Sequence, residues 1–150
     1  AIACLNMVFC FDDNMNLYVL ASQRGIGTPD PELVGAWNCV TGYLDYMETT
    51  AQAAIRETRE ETGIEISEND IFRIGINDDP NSDKRQNVCF RFVSLLPNNV
   101  NDYTFNKDGN EKDEVGDIKW INIDNIDNYT WAFNHNEILK ETVKNIFDLI

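Results

Sequence analysis

Cysteine pairs are absent from this sequence. Its 150 residues hold four cysteines, Cys4, Cys10, Cys39 and Cys89, and none stands at C-x-x-C spacing. His135 is the one histidine, so a structural zinc site has too few ligands of the usual kind. Isolated thiols in apolar stretches, such as Cys89 in VCF, read as buried side chains of a protein kept in a reducing, cytoplasmic compartment. Basic residues are scarce as well: 12 Lys and Arg against 26 Asp and Glu, a formal net charge of −14. That balance excludes wrapping nucleic acid or lying on an anionic membrane by charge alone. An anionic substrate would need the local field reversed, which a divalent metal held by carboxylates does. Acidity that only keeps the protein dispersed is the other reading. No apolar run approaches the roughly 20 residues of a membrane span. The apolar opening, residues 1–10, contains Asn6 and no basic leader, so it reads as a strand rather than a signal peptide.

What is present is an ordinary globular balance. Hydrophobic residues at 43% and charged residues at 25% exclude a collagen-like, mucin-like or disordered chain. The length predicts one domain over 1–150 with one sizeable core. Residues 1–11 and 16–22 predict a hairpin turning at Asp12-Asp13-Asn14. Residues 24–35 form a Gly/Pro-punctuated loop, and 37–43 a short strand. A helix follows over 51–62, with an N-cap from Thr49-Thr50 and a stop at Gly63. Further strands are expected at 71–76, 87–96 and 118–123, with a polar loop around Pro80 and a long acidic loop over 97–117. Ile138, Leu139, Val143, Ile146, Phe147 and Ile150 have the spacing of an amphipathic terminal helix, with Asn134 as its N-cap. The sum is an α/β fold, a mixed sheet with helices on both faces.

The chemistry concentrates in residues 42–64, GYLDYMETTAQAAIRETREETGI. At 100° per residue, Glu57, Glu60 and Glu61 share a sector of about 100° on the helix. Three carboxylates on one stripe repel each other, and Arg56 and Arg59 relieve only part of that. A solvated acidic face is the bland reading. The alternative is a hard divalent cation, which takes carboxylate oxygens and leaves positions for phosphates and water. Glu48 can fold back from the preceding loop toward the same stripe, and Gly42 marks a turn where the backbone can approach a metal closely.

The full spacing resembles the Nudix box, G-x5-E-x7-R-E-U-x-E-E-x-G-U, where U is a bulky aliphatic residue. Gly42, Glu48, Arg56, Glu57, Glu60, Glu61, Gly63 and Ile64 match, and Thr58 stands at a U position. Trp37 and Trp120 also resemble landmarks of the family, whereas Val40-Thr41 replace a frequent Pro-Gly before the box. The resemblance implies an α/β/α sandwich with a catalytic loop–helix–loop. It implies Mg²⁺- or Mn²⁺-dependent hydrolysis of a nucleoside diphosphate linked to another moiety. By the same resemblance Glu57 and Glu61 are the principal metal ligands, Glu60 shares a second ion, and the Thr41 carbonyl is a further ligand. Arg56 orients a box glutamate, with Glu48 as its other partner.

Glu114, six residues before Trp120 in the acidic loop, stands where many relatives carry a glutamate and is the expected general base. Glu111 and Asp113 compete with it. Pro80, sixteen residues past Ile64, and the Phe133-Asn134-His135 stretch resemble features of ADP-ribose hydrolases. Arg24, Arg85 and Arg91 are candidates for the phosphates. Phe133, with Tyr43, Phe90 and Trp131, is a candidate for stacking on a base, although aromatics more often serve the core. ADP-ribose or a related nucleotide sugar is therefore the expected substrate. Hydrolysis of nucleoside triphosphates or dinucleoside polyphosphates is the alternative, and a non-catalytic ADP-ribose sensor is an alternative of another class. The intact box favours an enzyme. The resemblance also allows a homodimer, with no interface indicated.

Overall fold

The computed structural model describes residues 1–82, 85–107, 109 and 113–147. Seven strands and two α-helices are formed among them. β1 (Ile2–Phe11) lies at the centre of a mixed sheet ordered β3-β2-β1-β6-β5. It pairs in parallel with β6 (Val88–Asn99) along one edge, and β5 (Ile71–Asn77) closes that side antiparallel. On its other edge β1 pairs antiparallel with β2 (Leu17–Arg24) only over residues 9–11. The two strands then part, and the wedge is filled by β3 (Trp37–Asn38) on β2 and β4 (Val40–Tyr43) on β1. β7 (Val115–Asn122) takes the outer edge of β2. The wedge sets Thr41 and Gly42 opposite Leu5 and Cys4 of the central strand.

β1 alternates between two apolar clusters, as a strand buried on both faces must. Cys4, Val8 and Cys10 join Ala53 and Ala54 of α1 (Thr50–Thr62). Leu5, Met7 and Phe9 join Leu139 of α2 (His135–Phe147). The expected α/β sheet with a helix on each face is therefore present. α1 is closed at both ends by local chemistry. Thr49 Oγ1 accepts from the Gln52 N–H at 3.1 Å, and Gln52 Oε1 accepts from the Thr49 N–H at 2.9 Å, a capping box. Gly63, at φ 79°, donates to the Arg59 carbonyl at 2.8 Å. No helix among the described residues is long and apolar enough to cross a membrane.

Two expectations are corrected. The acidic loop is shorter than 97–117, because β6 runs through Pro97 to Asn99 and β7 begins at Val115. The β1–β6 register shifts between Phe9↔Leu95 and Phe11↔Asn99. Pro97, lacking an N–H, sits in that irregularity, where no regular ladder bond is required. Asn134 precedes α2, and its carbonyl accepts from Glu137 and Ile138. Its φ of 58°, however, is left-handed rather than the extended geometry of an ordinary N-cap. Ile150, expected on this helix, lies outside the described residues.

Candidate active site

Arg56 organises the box. Its Nε donates to Glu48 Oε2 at 2.8 Å and its Nη2 to Glu48 Oε1 at 2.9 Å, a two-pronged pair. Nη2 also reaches the Tyr43 carbonyl at 2.9 Å. Nη1 donates to Glu57 Oε1 at 2.9 Å and to Glu60 Oε2 at 3.2 Å. Asp45 adds an ion pair at 3.3 Å, a contact not anticipated from the sequence. The Arg56 and Glu48 side chains are 17% and 14% exposed, so this pair is well shielded from water. The Arg56 hydrogen bonds hold the Glu48 carboxyl below its ordinary range despite burial. Glu48 and Glu57 in turn secure the positive charge of Arg56.

Glu57 and Glu61 behave oppositely to Glu48. Burial pushes Glu57 up, and Glu60 and Asp45 add repulsion, although Arg56 opposes them. Glu61 is driven well above the carboxylate range by burial, then by Glu57, Glu114 and Glu60, with Arg24 opposing. Its Oε2 is shut off from solvent and has no hydrogen-bond partner among the described residues. A buried carboxylate oxygen left unpaired is costly unless a proton or a cation meets it. Gly42 completes the approach: a Cβ there would stand 2.2 Å from Glu57 Cδ.

Among the described residues no three acidic, histidine or cysteine side chains converge as a ready ligand shell. Arg56 holds Glu57 and Glu60, whereas it makes no hydrogen bond to Glu61 among the described residues. The donor set nonetheless fits a hard divalent cation. It offers oxygen donors only, an unpaired buried carboxylate oxygen, and carboxyls whose charge is penalised until a cation arrives. Thr41 is half-buried on β4 immediately before Gly42.

Glu114 directly precedes β7, and its carbonyl accepts from the Gly25 N–H at 2.7 Å. Its charge raises Glu61, so the loop carries it toward the box. Asp113 is exposed, and its carbonyl accepts from Gly27 at 2.9 Å. Glu111 lies outside the described residues. Arg24, at the end of β2, donates to Thr28 Oγ1, while its buried Nε has no partner among the described residues. Its guanidinium lies 5.4 Å from the ring centroid of Phe133, which is 42% exposed. Arg24 opposes the upward shift of Glu61; burial lowers the pKa of His135, and Arg24 and Arg91 add to that. Arg24, Phe133 and Glu61 therefore belong to one neighbourhood. Arg85 pairs with Asp30 at 3.3 Å.

The remaining aromatics have other partners. The Tyr43 hydroxyl accepts from Asn87 at 3.1 Å, Arg73 covers Phe90 at 5.8 Å, and Trp131 donates to the Ile126 carbonyl at 2.8 Å. His135 is buried, its Nδ1 accepting from the Cys39 N–H at 3.0 Å. Only the Phe-x-His spacing pointed to it.

The NUDIX domain pattern matches residues 6–142. The chain belongs to the NUDIX family. Its fold is similar to the NUDIX domain of Shewanella oneidensis NrtR complexed with ADP ribose, at 20% identity and a TM-score of 0.78. The match covers 97% of this chain and 87% of that one. Shewanella oneidensis NrtR complexed with a 27mer DNA is similar at 19% identity and a TM-score of 0.70, over 97% of this chain and 61% of that one. A bifunctional NMN adenylyltransferase/ADP ribose pyrophosphatase from Francisella tularensis, complexed with AMP and a Mn ion, is similar at 24% identity. Its TM-score is 0.73, over 96% of this chain and 41% of that one. At these identities the likeness establishes the NUDIX fold. The chain spans less than two thirds of each of the last two proteins. No curated protein sequence matches significantly.

Proposed function

We propose that this NUDIX domain is a metal-dependent pyrophosphatase that splits a nucleoside diphosphate linked to another moiety, with ADP-ribose or a related nucleotide sugar as substrate. The observation that carries the reading is the arrangement around Arg56. One guanidinium holds Glu48, Glu57 and Glu60, beside a buried Glu61 oxygen that lacks a partner among the described residues. Glu57, Glu61, Glu60 and the Thr41 carbonyl would hold Mg²⁺ or Mn²⁺. Bound there, such an ion neutralises the diphosphate and lowers the pKa of a bound water.

The chain's own residues supply the rest. Arg56 fixes the carboxylates so that they do not reorganise during the reaction. Glu114 takes the proton from the attacking water. The guanidinium of Arg24, whose buried Nε has no partner among the described residues, binds a phosphate oxygen, and the exposed part of the Phe133 ring stacks on the base. Water adds to one phosphorus, the bridging P–O bond breaks, and two monophosphates leave.

ADP-ribose is supported by Pro80, by the Phe133–His135 stretch and by the ligand named with NrtR. Four free cysteines support a reducing, cytoplasmic setting. The sensor reading is favoured by the NrtR complexes with ADP ribose and with DNA. One comparison decides among the readings: kcat/KM for ADP-ribose, dGTP and Ap4A with Mg²⁺ or Mn²⁺, beside a direct ADP-ribose binding isotherm. ADP-ribose should be cleaved fastest. Preference for dGTP or Ap4A overturns the substrate, and tight ADP-ribose binding with no turnover selects the sensor.

A further inference from the structure

A buried polar chain runs from the sheet into the carboxylate-bearing helix. Asn6 lies in the middle of β1, with backbone neighbours Val40 on β4 and Phe92 on β6. It is 1% exposed, and Thr58 and Ser94 are fully buried. Ser94 Oγ donates to Asn6 Oδ1 at 2.8 Å, Asn6 Nδ2 donates to Thr58 Oγ1 at 3.1 Å, and Thr58 Oγ1 donates to the Ala54 carbonyl at 2.7 Å. The directions are forced. A carbonyl only accepts, so the Thr58 proton goes to Ala54. Thr58 Oγ is then left to accept, Asn6 must turn its NH₂ toward it, and its oxygen is left for Ser94.

We propose that Asn6, Ser94 and Thr58 are positioning residues, a directional tether that sets the rotation of α1 about its axis and through it the metal affinity of the box. This rests on the metal-dependent reading above. A bulky aliphatic side chain at residue 58, the type the Nudix pattern carries, would hold the helix by non-directional packing. The threonine here is smaller and replaces that packing with aimed bonds. Glu57 and Glu61 project about 100° and 60° to the same side of Thr58. Side-chain tips lie roughly 5–6 Å from a helix axis, so a 10° roll moves both carboxylates by about 1 Å. A displacement of that size is enough to cost on the order of 10²-fold in rate.

The test compares Thr58→Val, which keeps the shape and loses the hydroxyl, with Thr58→Ser, which keeps the hydroxyl and loses a buried methyl. Both lower stability, so stability alone does not rank them. Mn²⁺ affinity should fall about ten-fold or more in Thr58→Val and stay within about 1.5-fold of wild type in Thr58→Ser. With ADP-ribose, kcat should fall on the order of 10²-fold in Thr58→Val while KM moves much less. Ser94→Ala does not touch the helix and should weaken Mn²⁺ binding by about three-fold; if Thr58→Val does not fold, it decides alone. Wild-type Mn²⁺ affinity in Thr58→Val or Ser94→Ala, or equal losses in the two Thr58 variants, overturns the tether and leaves the metal reading standing. Absence of Mn²⁺ binding by the wild-type protein overturns the metal reading and the tether with it.

Discussion

A Cβ at residue 42 would stand 2.2 Å from Cδ of Glu57, so Gly42 and Glu57 share one packed volume. Glu57 cannot simply swing aside, because Arg56 Nη1 holds its Oε1 at 2.9 Å. Gly42→Ala should therefore displace Glu57 while leaving the sheet intact. The expected result is a loss of about ten-fold or more in Mn²⁺ affinity and on the order of 10² in hydrolysis, with stability changed by only about 1 kcal/mol. Mn²⁺ titration and thermal unfolding check this. Unchanged metal affinity would remove Glu57 from the ligand set.

Arg56 uses a planar fork that lysine cannot copy. It serves both oxygens of Glu48, one oxygen each of Glu57 and Glu60, and the Tyr43 carbonyl. A lysine keeps the charge and can satisfy only part of this set. Arg56→Lys should destabilise the metal-free protein by roughly 2–3 kcal/mol, the scale of losing charge-assisted bonds in a shielded site. Denaturant unfolding in the presence of a chelator measures it. A loss below about 0.5 kcal/mol, the level of an exposed pair, would show that the clamp contributes little to folding.

The parts legible in the sequence were those written in local spacing. The helix was marked by Thr49 at one end and Gly63 at the other, and the Gly42–Ile64 pattern named Arg56 and the carboxylates. The hairpin, β5 and the two-faced sheet followed from strand composition. The parts not legible depend on partners far along the chain. Pro97 reads as a strand end until its irregular pairing with β1 is seen. Asn6 counted only as a polar interruption of an apolar run, because Thr58 and Ser94 lie 52 and 88 residues away. Asn134 has the right residue type for a cap, but the chain takes two consecutive left-handed steps at Phe133 and Asn134 to enter α2. Such φ values are set by tertiary packing.

Glu57 and Glu114 should separate a metal ligand from a proton acceptor. Replacing a ligand damages both metal binding and turnover. Replacing a general base slows turnover by roughly 10²–10⁴-fold while metal binding barely moves. Glu57→Gln is thus expected to weaken Mn²⁺ binding and nearly abolish hydrolysis. Glu114→Gln is expected to keep Mn²⁺ binding and lower kcat at saturating substrate. Wild-type kcat in Glu114→Gln would move the base to Asp113, Glu111 or Glu60, to be replaced singly.

His135 makes the fold sensitive to acid. Its Nδ1 accepts from the Cys39 N–H at 3.0 Å, which requires the neutral ring. Burial, reinforced by the charges of Arg24 and Arg91, lowers its pKa to about 3 from an ordinary 6.5. The unfolded chain therefore binds a proton that the folded chain refuses between those two values. The stabilisation is fully present above pH 6.5 and is lost as pH falls toward 3, by at most about 1.4 kcal/mol per pH unit. Glu57 and Glu61 act in the opposite sense in metal-free protein. Their folded pKa values are raised, so acid relieves them. Comparing wild type with His135→Asn, which retains an acceptor and cannot titrate, isolates the histidine. Melting temperatures measured with a chelator from pH 7.5 to 4 should fall more steeply for wild type, and the two curves should converge as the pH drops. Parallel curves would mean that His135 is protonated in the fold or that the acid sensitivity comes from another group.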